Sequence, residues 1–276
     1  MAVHLLRAAA AHPLLGGKRL DIVVVAIAAL AASALTLFSG FGLGTLLMPV
    51  VALFMPVDVA IAVTAVVHLA NNVFKAGLLG RHAERSALLG FGLPAVPAAF
   101  AGAWVLGRLA GMPPLLAYGA AGRAFEVHPL KVLVGALILV FVLLELWPRF
   151  TALAVGSRYM PLGGVVSGFF GGLSGHQGAF RSMFLLKAGL DKQQFVATGV
   201  LIAVMVDLSR LSVYGAGMLT RPESVDWPMA VAASLAAFAG AYLGSRLLQK
   251  VTIRFVQRVV SLLLVVVAVG LAAGVL

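Results

Sequence analysis

Cysteine is missing from all 276 residues, which excludes disulfides, thiol catalysis and thiolate metal sites without fixing a compartment. Charge is also scarce. Only 11% of the residues are charged, against about 25% in an ordinary soluble domain. So few charges cannot cover a water-facing surface, so most of the outside must meet lipid. Acidic residues number just nine against twenty Lys and Arg, giving a net charge of +11. The basic residues are spread over loops and form no aromatic-laced patch, so they read as orientation anchors and lipid contacts, not as a nucleic-acid surface. No Gly-x-x-x-x-Gly-Lys-Ser/Thr element is present, so ATP-driven pumping by this chain alone is not expected. No two-residue alternation suggests a barrel.

What the chain has is apolar length: 62% of it is hydrophobic and the mean hydropathy is +1.08. The expected class is an all-α integral membrane protein of about eight membrane helices or re-entrant elements. Helical stretches are predicted at 21–38, 46–55, 58–80, 87–110, 129–147, 162–173, 179–189, 192–219, 228–248 and 254–276. A spanning helix needs roughly 20 apolar residues. The stretches 46–55, 162–173 and 179–189 are too short to cross and flank Gly-rich breaks. The first break is Gly40-Phe41-Gly42-Leu43-Gly44 and the second runs from Gly171 to Gly178 through Ser174, Gly175, His176 and Gln177. Broken helices of this kind line cavities, while small residues also serve close helix packing. Both readings stand for the first break. His176 and Gln177 favour a cavity at the second.

The chain repeats itself. Ala98-Ala-Phe-Ala-Gly102-Ala-Trp104 recurs 138 positions on as Ala236-Ala-Phe-Ala-Gly240-Ala-Tyr242. A shift of 135 carries Asn72 to Asp207 and Lys75 to Arg210, and one of 131 carries Gly44 to Gly175. The expected organisation is a single transport domain over 1–276: a tail at 1–20, one repeat at 21–147, a linker at 148–160 and a second repeat at 161–276. The tail carries Arg7, Lys18 and Arg19. A cleaved signal peptide is the alternative to a retained first helix with a cytoplasmic tail. The basic stretch Arg246, Lys250, Arg254, Arg258 is expected on the cytoplasmic side, and Arg221, Glu223, Asp226 outside.

Ionisable groups at bilayer depth need a reason. His68, Asn71, Asn72 and Lys75 are spaced i, i+3, i+4, i+7 and share one helical face. Asp207, Arg210 and Tyr214 occupy the matching segment of the second repeat. Lys75 and Arg210, one per repeat, could grip a compact oxyanion, with Arg181, Ser174, His176 and Gln177 adding donors. Gly42, Gly44 and Gly175 would expose helix N-terminal N–H groups. Asp207 or a histidine could take up a coupling proton. Against this, Asp207 and Arg210 could simply neutralise each other, and Lys75 could snorkel to the head groups. Lys187 and Lys192 read as interfacial anchors. No metal site or cofactor is expected, since His68 and His176 sit apart without acids or thiols beside them.

Several ordered features resemble the TauE/SafE family of sulfite exporters: the first Gly break, then Pro49 and Pro56, then residues 60–64; in the second half Gly168-Phe-Phe-Gly-Gly-Leu-Ser-Gly175, Gly189-Leu190 and Phe195-Val-Ala-Thr198; and at the end Gly240-Ala-Tyr-Leu-Gly244-Ser-Arg246. The resemblance covers nearly the whole chain from about residue 22. It implies a multi-pass permease of the cell inner (plasma) membrane that moves sulfite, organosulfonates or related sulfur oxyanions. Its partners would be that anion and membrane lipid, with a homodimer as an open option. Alternating access between the repeats is the expected mechanism. A membrane-embedded lipid-phosphate hydrolase and an anion channel are the alternatives.

Overall fold

The computed structural model describes residues 17–36, 42–120, 122–147, 149, 153, 155–220, 225–247 and 253–276. Arg7, Gly40, Phe41, Arg221, Glu223 and Lys250 lie outside the described residues. The rest is almost entirely helical. In chain order the helices are α1 (Gly17–Thr36), α2 (Leu43–Val51), α3 (Val57–Leu79), α4 (Leu93–Ala110), α5 (Pro129–Leu146), α6 (Met160–Ser174), α7 (Gly178–Leu185), α8 (Lys192–Thr220), α9 (Trp227–Leu247) and α10 (Ile253–Ala272). Four segments are long and apolar enough to cross a bilayer: Val57–His82, Arg85–Ala110, Lys192–Gly215 and Trp227–Gly244. Apolar side chains such as Ile27, Leu143, Leu235 and Leu262 stand more than half exposed on the outside. In water such a surface would aggregate, while in lipid it is ordinary. The chain is therefore an all-α membrane protein, with one small exception described below.

The two short-helix regions form helical hairpins. The start of α1 (Asp21) and the turn after α2 (Ala52 to Asp58) line the same 650 Å³ pocket, so the pair runs inward and comes back. The α6–α7 pair does likewise: Val155, just before α6, donates its N–H to the Met183 carbonyl of α7 at 3.1 Å. The end of α4 (Ala110), the start of α5 (Leu130) and Leu276 also line the first pocket. That marks one end of the bundle. The Glu84 N–H donates to the Thr198 hydroxyl at 2.9 Å, which sets the α3–α4 turn beside the start of α8 at the opposite end.

Glycine fixes which helices touch and in which direction they run. A β-carbon on Gly164, Gly168 or Gly172 of α6 would stand 2.2, 2.3 or 2.0 Å from the carbonyl oxygens of Phe91, Ala95 and Ala99. The order shows α6 running parallel to the segment that becomes α4. A β-carbon on Gly240 of α9 would likewise meet the Leu30 oxygen at 2.2 Å, and one on Gly244 the Ala34 oxygen at 2.8 Å, so α9 runs parallel to α1. Backbones this close gain dispersion and Cα–H···O contacts that a side chain would abolish. The most extensive packing pairs α4 with α6, α1 with α9, α3 with α8, and α5 with α10. Each pair joins residues before 147 to residues after 160.

The segment entering α4 is irregular for a visible reason. Residues Leu88–Gly92 form a π-helical turn, followed by Pro94 in the first turn of α4 and Pro97 inside it. Pro97 has no N–H for the carbonyl four residues back, and wide turns absorb such faults.

Two expectations change. The stretch between α4 and α5 contains an antiparallel hairpin, Leu116–Ala120 with Arg123–Val127. Tyr118 anchors it by donating to the Ala273 carbonyl at 2.7 Å. The chain is thus not wholly α. The start of α1 and the end of α9, where Arg246 lies, also cannot both be cytoplasmic. Asp21 of α1 lies within electrostatic reach of Asp226, just before α9, so α1 and α9 start at the same end. Because they run parallel, the end of α9 and the start of α10 lie at the other end. Reading charge loop by loop missed this because α1 and α2 turn back instead of crossing.

Candidate functional site

The polar residues of α3 and α8 meet in the centre. His68 Nδ1 lies 2.6 Å from Asp207 Oδ2, and both residues are buried. At that distance one hydrogen lies between the two atoms. Asn72 braces the histidine, its Nδ2 donating to the His68 carbonyl at 2.9 Å and lying 3.4 Å from His68 Nε2. On α8, Arg210 Nε donates to Asp207 Oδ1 at 3.0 Å. Arg210 Nη2 lies 2.7 Å from the same oxygen in ion-pair contact and makes no hydrogen bond to any other group. The guanidinium is only 1% exposed. Buried cations hold position only with compensating charge, which Asp207 supplies in part. One turn on, the Tyr214 hydroxyl donates to the Gly172 carbonyl and ties α8 to α6.

The second Gly break wraps this guanidinium. Gly175 ends α6 at φ +83°, and a β-carbon there would stand 2.9 Å from Arg210 Nη1. Glycine serves twice here, taking the left-handed turn and leaving room for the cation. His176 and Gln177 follow, 2% and 1% exposed. His176 stacks on Phe141 at 4.9 Å and shares a 3.0 Å hydrogen bond between its Nδ1 and Ser174 Oγ. Its Nε2 has no partner. The Ser174 hydroxyl donates to the Phe170 carbonyl at 3.2 Å, so Nδ1 carries the proton of the neutral ring and Nε2 presents a lone pair. Arg181 Nη1 donates to Gln177 Oε1 at 3.4 Å, which orients the amide and leaves Gln177 Nε2 free.

The first break arrives from the other side. A β-carbon on Gly44 would stand 3.5 Å from the Gly175 carbonyl oxygen, so the two hairpin tips touch. Gly42 caps α2 without a side-chain hydrogen bond and Gln177 caps α7 likewise. Both helices begin where the two hairpin tips meet, and first-turn N–H groups have no intrahelical acceptor. Asn71 accepts from Ser33 of α1 at 3.3 Å, which makes it a brace between helices.

Lys75 does not sit opposite Arg210. It is half-buried one turn beyond Asn71 and Asn72, within electrostatic reach of Arg181. The residue that faces the Asp207–Arg210 pair is His68. The Asp207–Arg210 ion pair is present, and Lys187 and Lys192 are exposed. Sequence reading missed Ser33, Phe141 and Thr64, whose buried Oγ1 is unpartnered. Thr64 lies one turn before His68 on the same face, a signal that the spacing carried.

The family model for sulfite exporter TauE/SafE matches residues 25–271, nearly the whole chain. Comparison with curated proteins and with solved structures returns no match. The apolar helices make the chain a multi-pass membrane protein, and the family match makes it a transporter. The chain belongs to the TauE/SafE family, a family of transporters of sulfur anions.

Proposed function

We propose that the protein exports a small sulfur oxyanion, sulfite or an organosulfonate, across the plasma membrane by alternating access. The observation that carries this reading is Arg210. It is a fully buried guanidinium whose Nη2 makes no hydrogen bond beyond its ion pair with Asp207, backed by glycine and flanked by the unpartnered amide nitrogen of Gln177. Donors left unpaired in a low-dielectric site cost free energy unless a ligand takes them up. An arginine fork suits an oxyanion. Lys75 and Arg181, both basic and nearby, would draw the anion toward it. The starts of α2 and α7 add positive dipole ends from the two opposed tips.

In this reading the segments 21–147 and 161–276 are inverted duplicates of one unit. Support comes from the opposite entry ends of the two hairpins and from the symmetry of the helix pairs: α3 packs on α8 and α5 on α10, each with its counterpart, and the α1–α9 pair is the equivalent of the α6–α4 pair. Opposed hairpins meeting at mid-depth are suited to exposing one site to either side in turn.

The test is a binding screen of purified protein against sulfite, sulfate, thiosulfate, sulfonates and carboxylates, read by thermal stability. Stabilisation by sulfur oxyanions that disappears in Arg210→Gln is the expected result. Equal stabilisation of wild type and variant would overturn the assignment of Arg210. Flux in proteoliposomes that fails to saturate would favour a channel.

A further inference from the structure

We infer that the His68–Asp207 pair is a proton-binding site linked to the anion site, so that each anion bound at Arg210 brings one proton onto His68. The inference rests on the anion reading above and adds what that reading lacks, a partner ion and its seat.

The geometry carries it. The 2.6 Å contact places one proton between His68 Nδ1 and Asp207 Oδ2. In the neutral imidazole that proton belongs to Nδ1, and Nε2 holds a lone pair whose one neighbouring donor is the Asn72 amide at the long distance of 3.4 Å. An arriving proton therefore bonds to Nε2. The imidazole becomes imidazolium, and the N–H···O contact to Asp207 becomes a charge-assisted pair. The long Asn72 contact at Nε2 is given up, while Asn72 keeps its bond to the His68 carbonyl, and no other bond is made or broken.

Asp207 stands between two claimants. One oxygen faces His68 of α3, and the other takes Arg210 Nε of α8. With His68 neutral, Asp207 spends its charge on Arg210, and the guanidinium has little left for an anion. With His68 charged, the carboxylate is balanced from α3, and the positive charge of Arg210 turns to the ligand. One added proton offsets one added negative charge in a buried place, where uncompensated charge is expensive. Of the other charged or titratable groups, Arg181 on α7 lies within electrostatic reach of His68, Lys75 two turns on along the same helix lies within reach of Arg181, and Tyr214 on α8 lies within reach of Asp207 and Arg210. An incoming anion screens the Arg181 and Lys75 charges, which strengthens the link.

The experiment measures proton uptake when thiosulfate, which takes no proton itself near neutral pH, is added to the purified protein in weak buffer with a pH dye. Sulfite, sulfate and a sulfonate serve as further probes. Wild type is expected to take up close to one proton per anion. Its anion affinity should fall by about tenfold per pH unit once His68 is neutral in the free protein, since linkage is reciprocal. His68→Gln keeps a donor toward Asp207, so it should bind anion without proton uptake and with a flat pH profile. Asp207→Asn should also flatten the profile while raising affinity at high pH. Anion binding by wild type with no proton uptake, or unchanged uptake in His68→Gln, would overturn the inference and leave the anion site standing. If no probe anion binds wild type, the functional reading itself fails and this inference with it.

Discussion

Gly44 and Gly175 touch at the middle of the protein, 131 positions apart in sequence. A β-carbon on the first would rest 3.5 Å from the carbonyl oxygen of the second. Each sits at the tip of a helical hairpin, and the hairpins enter from opposite ends. The contact gathers two helix starts, one buried guanidinium and the unpartnered nitrogens of His176 and Gln177 into a small volume, which makes the tips the place to probe first.

At Gly175 the prediction is specific. Gly175→Ala places an L side chain at φ +83°, costing roughly 1–2 kcal/mol, and pushes its β-carbon onto Arg210 Nη1. Anion flux in proteoliposomes should fall by at least tenfold while the variant still inserts and purifies. The same substitution at Gly44 meets only ordinary contact and should keep most of the flux.

Arg210→Lys separates charge from shape. The ammonium keeps the charge but cannot bond Asp207 and an oxyanion together through a planar fork. Flux should drop by one to two orders of magnitude, less than in Arg210→Gln. A lysine variant with the wild-type rate would mean that only charge matters there.

The α4–α6 seam should tolerate nothing larger than glycine. Gly172→Ala drives its β-carbon to 2.0 Å from the Ala99 oxygen, against backbone that has no room to yield. Overpacking of this kind costs about 1–3 kcal/mol, and a rigid backbone neighbour puts it at the upper end. Thermal unfolding in detergent should show the loss, with Gly240→Ala in the α1–α9 seam behaving alike.

Sidedness can be read directly, because the chain has no cysteine of its own. The end with Arg81, Arg85, Arg158, Lys187 and Lys192 also receives the end of α9 and the start of α10, which carry Arg246, Arg254 and Arg258. It is the more basic end and should face the cytoplasm. A single cysteine at exposed Asp58 should react with an impermeant thiol reagent from outside, and one at exposed Lys187 should not. Labelling of both from one side would refute the arrangement of the helices.

At that basic end Glu84 caps the turn into Arg85–Ala110. Its carboxylate accepts from the Ala87 N–H at 2.6 Å and from the Ser86 hydroxyl at 2.7 Å, and these bonds hold its pKa below the usual carboxylate value. A lowered folded-state pKa gives stability that is present above the unfolded value and lost as pH falls through the folded one. Glu84→Gln should cost under about 1 kcal/mol near neutral pH, as cap losses do, and should make stability less sensitive to acid below pH ~4.

Much of this was legible in the sequence. The i, i+3, i+4, i+7 spacing of His68 to Lys75 placed those residues on one face, and the short Gly-flanked stretches located both breaks. The partner of His68 was not legible, because a contact between α3 and α8 depends on how helices pack and not on local spacing. Matching Lys75 with Arg210 by position suggested two facing cations. Packing turned Lys75 toward Arg181 and gave the central place to His68. The β-hairpin escaped notice because Leu116–Ala120 is largely Ala and Gly, poor strand formers that lack the alternation of a half-buried strand. The π-turn before α4 gave only its prolines as a clue.

The glycine seams also govern how the polypeptide could be divided. Each seam joins a hairpin arm from one half to a long helix from the other, so neither half holds both faces of any seam. A fragment ending near residue 147 would leave the grooves along α1 and α4 open to lipid, with bare carbonyl oxygens where a neighbour should lie. Such a fragment made alone should be degraded, whereas the two fragments produced together in one cell should find each other and restore a working carrier.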